Sequence, residues 1–437
     1  MNTSKFLLAG FFAGAITGSF CVQAEALNEV ISKAIAEHPQ AQASLNKVQA
    51  QEKTIKAAKA DYWPTLDVVV GGGKQRKNQQ SSGADGEILT SKEASVSVKQ
   101  NLFSGFNTMS SVKVARQKTK AEQWRLQSTL EALSLEIVDV YLKVFERRDL
   151  VDLAEKNLSV HDDIYQQIEQ RTRQGLARSS DLAQIEGRRA RANANLVNSK
   201  NNLMDAESEY QALTGSMPGQ LQQPDTYKLT LPESIERALE LAREHNPGLK
   251  AAAFDIRSSQ SQYSSSKSSF FPSLDLEFDN NWRENSDGQP GRVRDTKAML
   301  RVRYNLFRGG GDRARLQESA YRVEESRAQK EDADRNMEER LRLAWAAYEL
   351  VGQQKEFLEL HEKSSQETVV AYREQFNIGK RTLLDLLDGE NELFQSSQSL
   401  SSATYQEAFA RYRILGVTGQ LLKTLDIPTP ESMQFSK

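Results

Sequence analysis

The period of apolar positions changes along the chain, and each change marks an element. Leu274, Leu276, Phe278, Asn280 and Trp282 alternate with Asp275, Glu277, Asp279, Asn281 and Arg283. Ala298, Leu300, Val302, Tyr304 and Leu306 alternate with Lys297, Met299, Arg301, Arg303 and Asn305. Leu66, Val68 and Val70, then Ala94, Val96 and Val98 against Ser95, Ser97 and Lys99, repeat the pattern more weakly. A period of two puts alternate side chains on opposite faces of a strand, which predicts strands at about 65–73, 94–103, 273–283 and 297–307. Elsewhere the spacing is helical. Leu126, Leu130, Leu133, Ile137, Val140 and Val144 keep the 4-3-4-3 spacing of a coiled-coil seam, and Met337, Leu341, Ala344, Tyr348 and Val351 keep a similar one. These seams predict helices from about Asn107 to Thr172 and Gly311 to Phe376, each roughly 100 Å long at ~1.5 Å per residue. Such stripes are core, and they are too narrow for helices surrounded by protein. Much of each helix must therefore face water or a neighbouring chain.

The same elements occur twice. Asn101-Leu102-Phe103-Ser104-Gly105 recurs as Asn305-Leu306-Phe307-Arg308-Gly309, 204 positions later. Gly175, Asp181 and Thr214-Gly215 match Gly379, Asp385 and Thr418-Gly419 at that offset, as do Ile31 and Ala34 with Ile235 and Ala238. The prolines after His38 and Asn246, and the pair Tyr62-Trp63-Pro64 and Phe270-Phe271-Pro272, stand 208 apart. Each half reads helix, strand, loop, strand, very long helix, turn, helix. The expected division is a leader at 1–24, a first repeat at 25–213, a linker at 214–231, a second repeat at 232–425 and a tail at 426–437. Helical hairpins are expected at about 107–213 and 311–415. Pro64 and Pro272 stop the entering helices. Gly105 and Gly309-Gly310-Gly311 stand where strand turns back into helix. Lys74–Lys92 and Glu284–Asp295 are polar loops suited to an extracellular face.

Composition alone misleads. The chain has 437 residues, 57 Lys plus Arg against 59 Asp plus Glu, 38% hydrophobic residues and a mean hydropathy of −0.62. It has the look of a soluble, helix-rich protein of two or three domains. A near-neutral charge argues against a nucleic-acid partner, and four His with one Cys leave little for a metal site. Residues 1–24 change the picture. Lys5 precedes an apolar run to Phe20, shorter than the ~20 residues that span a bilayer, and Val22-Gln23-Ala24 forms a small-residue cleavage pattern. This reads as a secretory signal peptide. Cys21 follows Phe20, not Gly or Ala, and would be discarded with it. The mature chain would begin at Glu25 without cysteine.

For an exported chain, strands of this length with one apolar face suit a membrane barrel wall, whereas a half-buried hairpin on a soluble sheet has the same pattern. The signal peptide favours the barrel. Bacterial barrels have at least eight strands, and an open four-stranded sheet in lipid leaves edge amides unsatisfied at several kcal/mol each. Oligomerisation follows. Three chains give twelve strands and a watery lumen, which the charges of Asp275, Glu277, Asp279, Arg283, Lys297, Arg301 and Arg303 require.

The duplicated series, the Asn-Leu-Phe-x-Gly strand exits and the run Phe376-Asn377-Ile378-Gly379-Lys380-Arg381-Thr382-Leu383-Leu384-Asp385-Leu386-Leu387-Asp388 together resemble the TolC family of outer-membrane channels, from Ala26 to about Leu425. The wording is closest to the branch exporting large adhesins and agglutination-type proteins by type I secretion. The resemblance implies a mostly α fold with membrane β. It is a homotrimer whose twelve-stranded outer-membrane β-barrel continues into a twelve-helix periplasmic α-barrel. It also implies a periplasmic adaptor and an inner-membrane ABC transporter as partners, or an RND pump if the duct serves small-molecule efflux. A periplasmic coiled-coil scaffold without a pore is a third reading.

Asp385 and Asp388 share a helix face. Thr382 with Asp385 also forms a capping box, and acids suit a helix N-terminus. The resemblance implies that both aspartates line the periplasmic entrance as a cation-selecting ring. It further implies that Arg381 links to the neighbouring hairpin at Ser180 and Asp181, and that the tips at Gly175 and Gly379 meet the adaptor. A glycine helix C-cap also accounts for these glycines, and both readings can hold together. Phe376 stands where some members carry a gating tyrosine. No enzymatic set emerges: Val70-Gly71-Gly72-Gly73-Lys74-Gln75 lacks the first Gly and the Ser/Thr of a phosphate loop. His38 and His245 lie beside prolines at equivalent helix ends and read as structural. No cofactor is expected.

Overall fold

The computed structural model describes residues 25–76, 88–286 and 290–428. The expected signal peptide, most of the first polar loop and the end of the tail lie outside them. The chain opens with two helices, α1 (Leu27–Glu37) and α2 (Pro39–Ala60), then strands β1 (Thr65–Arg76) and β2 (Ile88–Phe103). Helices α3 (Asn107–Arg173) and α4 (Ser179–Thr214) form a long hairpin. The second half repeats the order with α5 (Ile235–His245), α6 (Pro247–Ser266), β3 (Ser273–Glu284), β4 (Arg292–Arg303), α7 (Gly311–Asn377) and α8 (Leu383–Thr418), closed by a short α9 (Leu421–Thr424).

The entering helix of each half is broken, which the sequence reading had not resolved. At the first break His38 caps α2, its Nδ1 accepting from the Gln40 N–H at 3.2 Å, with Pro39 in the first turn. At the second, Asn246 accepts from the Leu249 N–H at 3.1 Å and donates to the Val417 carbonyl at 2.9 Å. The equivalent of His38 is thus Asn246, not His245. The repeat offset is corrected with it: α1 and α5 start 208 residues apart, so Ile31 and Ala34 match Leu239 and Ala242, all four buried. The offset becomes 204 only after the strand-to-strand connection, which is four residues shorter in the second half.

The four strands form one antiparallel sheet in the order β1-β2-β3-β4. Its register sets Leu66, Val98, Phe278 and Ala298 side by side, and Asp67, Ser97, Asp279 and Lys297 in the adjacent row. Because directly opposed residues share a face, in these rows one face is apolar and the other polar from edge to edge. The strands differ in extent from the prediction. The first two reach Arg76 and begin at Ile88, while β4 begins earlier, at Arg292, and stops at Arg303. Tyr304, Leu306 and Phe307 are exposed beyond it, on an outer edge where, among the described residues, no strand continues the ladder.

The strand-to-helix turn is tight. Gly105 has φ +63°, and a Cβ there would lie 2.6 Å from the Ser268 carbonyl oxygen and 2.9 Å from Phe271 Cβ. Phe106 follows with φ 68° and sets its ring edge-on to Phe103 and Phe271 at 5.1 and 5.7 Å.

The seam of α3 forms the central core, with Leu126, Leu130, Leu133, Ile137 and Val144 packed against Ile31, Leu45, Tyr210 and Tyr412. The seam of α7 packs Met337, Leu341 and Ala344 against Ala238, Leu239 and Ile414. A second stripe on α7, Leu343, Leu350, Phe357 and Leu360, is exposed, as are Val197 and Met204 on α4. The first pair of each is seven residues apart, the spacing of an unpartnered coiled-coil face.

The linker is tied to the chain start. The Glu25 N–H donates to the Gln220 carbonyl at 2.8 Å, and the Tyr141 hydroxyl donates toward the Glu25 carbonyl at 2.9 Å. In α3, the buried Glu131 carboxylate accepts from the Leu421 N–H at 3.2 Å. Burial pushes the Glu131 carboxyl up to about 7, although that amide, the Leu422 amide and Gln127 oppose the shift.

Two outcomes follow from this packing. Gly105→Ala combines a left-handed backbone with a steric clash and should cost on the order of 2–3 kcal/mol, read as a lower dissociation temperature of the detergent-purified oligomer. A carboxyl raised in the folded state gives stability that is full below about pH 4.5 and is lost as pH rises through about 7. Glu131→Gln should abolish that pH dependence in thermal unfolding and raise stability above pH 7; an unchanged profile would refute the assignment.

Candidate functional site at the hairpin ends

Both hairpins turn by the same device. After α3, the Leu176 N–H donates to the Arg171 carbonyl at 2.7 Å and the Gly175 N–H to the Thr172 carbonyl at 3.0 Å. After α7, Lys380 and Gly379 repeat these bonds to Gln375 and Phe376 at 2.8 and 3.0 Å. This is the Schellman closure, with glycine in the left-handed position, at φ +71° for Gly175 and +76° for Gly379. A Cβ on either would meet nothing within 4 Å, so backbone conformation alone demands glycine. The turns leave Leu176 and Ile378 exposed at the two tips.

The start of α8 carries the expected capping box. The Asp385 N–H donates to Thr382 Oγ1 at 3.2 Å, and Asp385 Oδ2 accepts from the Thr382 hydroxyl at 2.8 Å and from its N–H at 3.3 Å. The Thr382 hydroxyl, with its amide and Arg381 adding to the effect, holds the Asp385 carboxyl below the usual aspartate value. The first hairpin has no such box, because Arg178 occupies the corresponding N-cap and makes no side-chain cap. Asp181, the repeat counterpart of Asp385, accepts from the Ser180 hydroxyl at 3.5 Å.

Asp388 is not a free carboxylate. Its Oδ1 accepts from Arg188 Nη2 of α4 at 2.6 Å, joining the two hairpins of one chain. Sequence reasoning missed Arg188, since a contact between two parallel hairpins has no spacing rule within either. Arg381 makes its contacts in this chain within its own hairpin. Within this chain its Nε donates to Gln375 Oε1 at 3.1 Å, its guanidinium lies 4.1 Å over the Tyr372 ring, and Nη1 stands 3.9 Å from Asp385 Oδ2. None of these contacts is with Ser180 or Asp181 of the same chain. Phe376 is buried among Ile164, Ile168, Ile185, Leu383, Leu386 and Leu387, with Arg171 over its ring at 5.3 Å. A buried ring has no outward group with which to bond a neighbour. One turn further in, Arg373 bridges to the buried Glu390, another pair that sequence reasoning did not find.

At the other end, the polar sheet face gathers the remaining expected residues. Asp275 is buried and accepts from Asn101 Nδ2 at 2.9 Å, with Lys99 Nζ at 3.6 Å. Arg301 Nε donates to Glu277 Oε2 at 2.8 Å, while Asp279, Lys297 and Arg303 share the face by register. Both signs of charge are interleaved across it.

A sheet polar on one side and largely apolar on the other, continued by two helical hairpins whose longer arms run about 100 Å, defines an outer-membrane channel whose helices extend into the periplasm. The chain belongs to the outer membrane efflux protein family, which matches residues 30–216 and 238–420; members of this family are channels and not enzymes. The outer membrane efflux protein BepC of Brucella suis biovar 1 is 22% identical over 411 residues, 93% of this chain and 89% of that protein. The alkaline protease secretion protein AprF of Pseudomonas aeruginosa is 22% identical over 401 residues, 87% of this chain and 82% of that protein. Among solved structures, CusC superposes with a TM-score of 0.81 at 17% identity, covering 90% of this chain and 91% of that one. The fold is therefore the TolC-type barrel and tunnel that the resemblance implied.

Converting both Asp385 and Asp388 to Asn should weaken block by multivalent cations added on the hairpin side of a planar bilayer. Arg188→Ala, which releases Asp388 from its partner, should strengthen it. Block unchanged in both variants would reduce the aspartates to capping and hairpin packing.

Proposed function

We propose that the chain is the exit duct of a tripartite type I secretion system, passing a large adhesin-type polypeptide across the periplasm and outer membrane. The duct is passive, and energy comes from an inner-membrane ABC transporter joined through a periplasmic adaptor. The observation behind this reading is the polar sheet face, where Lys99, Arg301, Asp275 and Glu277 pair with one another. A lumen wall whose charges are mutually compensated offers no strong site to either sign, which suits an unfolded chain of mixed composition. Similarity to a protein named for protease secretion supports it.

In this reading Asp275, Glu277, Asp279, Arg301 and Arg303 line the barrel lumen. Asp385 and Asp388 ring the periplasmic entrance, six carboxylates by threefold symmetry. The tips at Gly175 and Gly379 receive the adaptor, with Leu176 and Ile378 as exposed apolar contacts. Arg381, in contact with its own hairpin, steadies the turn. The similarity to BepC, named as an efflux protein, favours a second reading in which the partner is an RND pump and the cargo is small. Deletion separates the two. Loss of a surface adhesin with unchanged drug sensitivity is expected; drug hypersensitivity with normal surface display would establish the second reading in its place.

A further inference from the structure

The apolar sheet face is not uniform along its height. At the helix-proximal end it consists of Leu66, Val98, Gln100, Leu274, Leu276, Phe278, Leu300 and Val302, without a single charge. Towards the strand-to-strand connections it becomes basic. Val70, Ala94, Trp282 and Arg294 form one cross-strand row, and Gly72, Lys92, Glu284 and Arg292 form the next. Lys74 stands opposite Thr90 and Arg76 opposite Ile88 in the following rows of that face. Among the described residues, four exposed cations of this face, Lys74, Lys92, Arg292 and Arg294, thus share it with one acid, Glu284. Glu284 engages Arg292 at 3.3 Å, and Arg294 lies 5.4 Å over the Trp282 ring. Lys74 and Lys92 have no acidic partner among the described residues.

This arrangement lies on the side that faces lipid, because the opposite face carries the lumen charges. It also lies at the end remote from the periplasmic helices, at the level of the outer leaflet. Tryptophan on a barrel exterior marks the level where hydrocarbon gives way to headgroups, and cations there meet anionic groups at low local dielectric. The charge is one-sided in both senses. It is absent from the inner end of the same face, so general solubility does not explain it. It is also denser than on the lumen face at the same height, where Arg283 is accompanied by Glu93.

We propose that Lys92, Arg292 and Arg294, seated above Trp282 and extended by Lys74, bind the phosphates of outer-leaflet glycolipid, the phosphorylated diglucosamine anchor of lipid A. Arg292 and Arg294 offer planar donor forks to phosphate oxygens, and Lys92 supplies a point charge between strands. Closure of the barrel brings the β4 end of one chain beside the β1 end of the next, so the basic rows run around the rim. The inference rests on the outer-membrane location and not on the cargo.

The test is native mass spectrometry of the detergent-purified, full-length trimer titrated with bisphosphorylated lipid A. Wild-type protein should retain it, and the fully dephosphorylated form should bind roughly a hundredfold more weakly. The triple variant Lys92→Gln, Arg292→Gln, Arg294→Gln should show a similar loss while keeping trimer mass and channel conductance. The control pair Lys99→Gln, Arg301→Gln on the lumen face should bind as wild type. Equal binding of dephosphorylated lipid A or of phosphatidylglycerol by the wild-type protein would overturn the proposal without any variant having to fold. A loss as large in the control pair would overturn it as well. A triple variant without conductance would instead point to a failed channel, a result that the wild-type lipid comparison keeps separate.

Discussion

Everything in this chain answers to the two outer edges of its sheet. In hydrocarbon, an amide without a partner costs several kcal/mol, and β1 and β4 each present a full row of them. No rearrangement inside one chain can satisfy both rows, because four strands are too few to close. The folded state of the membrane part is therefore a property of the assembly, with stability inseparable from protomer association. The exposed stripe of Leu343, Leu350 and Phe357 on α7, and Val197 and Met204 on α4, fits the same requirement below the membrane. A solitary soluble protein would have little reason to keep them.

The hairpin ends show a second kind of economy. One carboxylate, Asp385, is absorbed in local helix chemistry and also carries charge to the surface; the next, Asp388, is bound across to Arg188 of the other hairpin. Two acids on one helix face are thus electrostatically unlike. Asp385 is held ionised by its own helix start, while the field of Asp388 depends on whether the hairpins stay together. Separation of α4 from α8 would release negative charge at the tip.

Much of this was legible in the residues. The duplication, the alternating strands, the proline stops and the long seams each rest on local pattern, and local pattern survives translation into structure. The capping box was legible for the same reason, since Thr382 and Asp385 are three residues apart. Contacts between elements were not. Arg188 is two hundred positions from Asp388 and belongs to no periodic set, and Arg381 could be assigned a partner only by analogy. The break at His38 was hidden because helical period runs through it on both sides, and only Pro39 at the first position of α2 marks it, with His38 capping the Gln40 N–H. The offset of 204 assigned to the first helices failed by one turn, which a 3.6-residue period cannot distinguish from the true match. The cations on the outward face went unremarked because alternation was read as apolar against polar, without asking where along the strand the exceptions fell.

The four-residue difference between the two offsets has a mechanical meaning. It falls wholly in the connection between strands, while α3 and α7 are both 67 residues long and α4 and α8 are both 36. One residue added to either long helix would turn everything beyond it by about 100° and lower its tip by ~1.5 Å. The two hairpins would no longer end at one level, and their common end would become staggered. Length drift has been tolerated above the membrane and refused below it. The paired helices act as matched legs, and the flatness of the surface they present is set by counting residues.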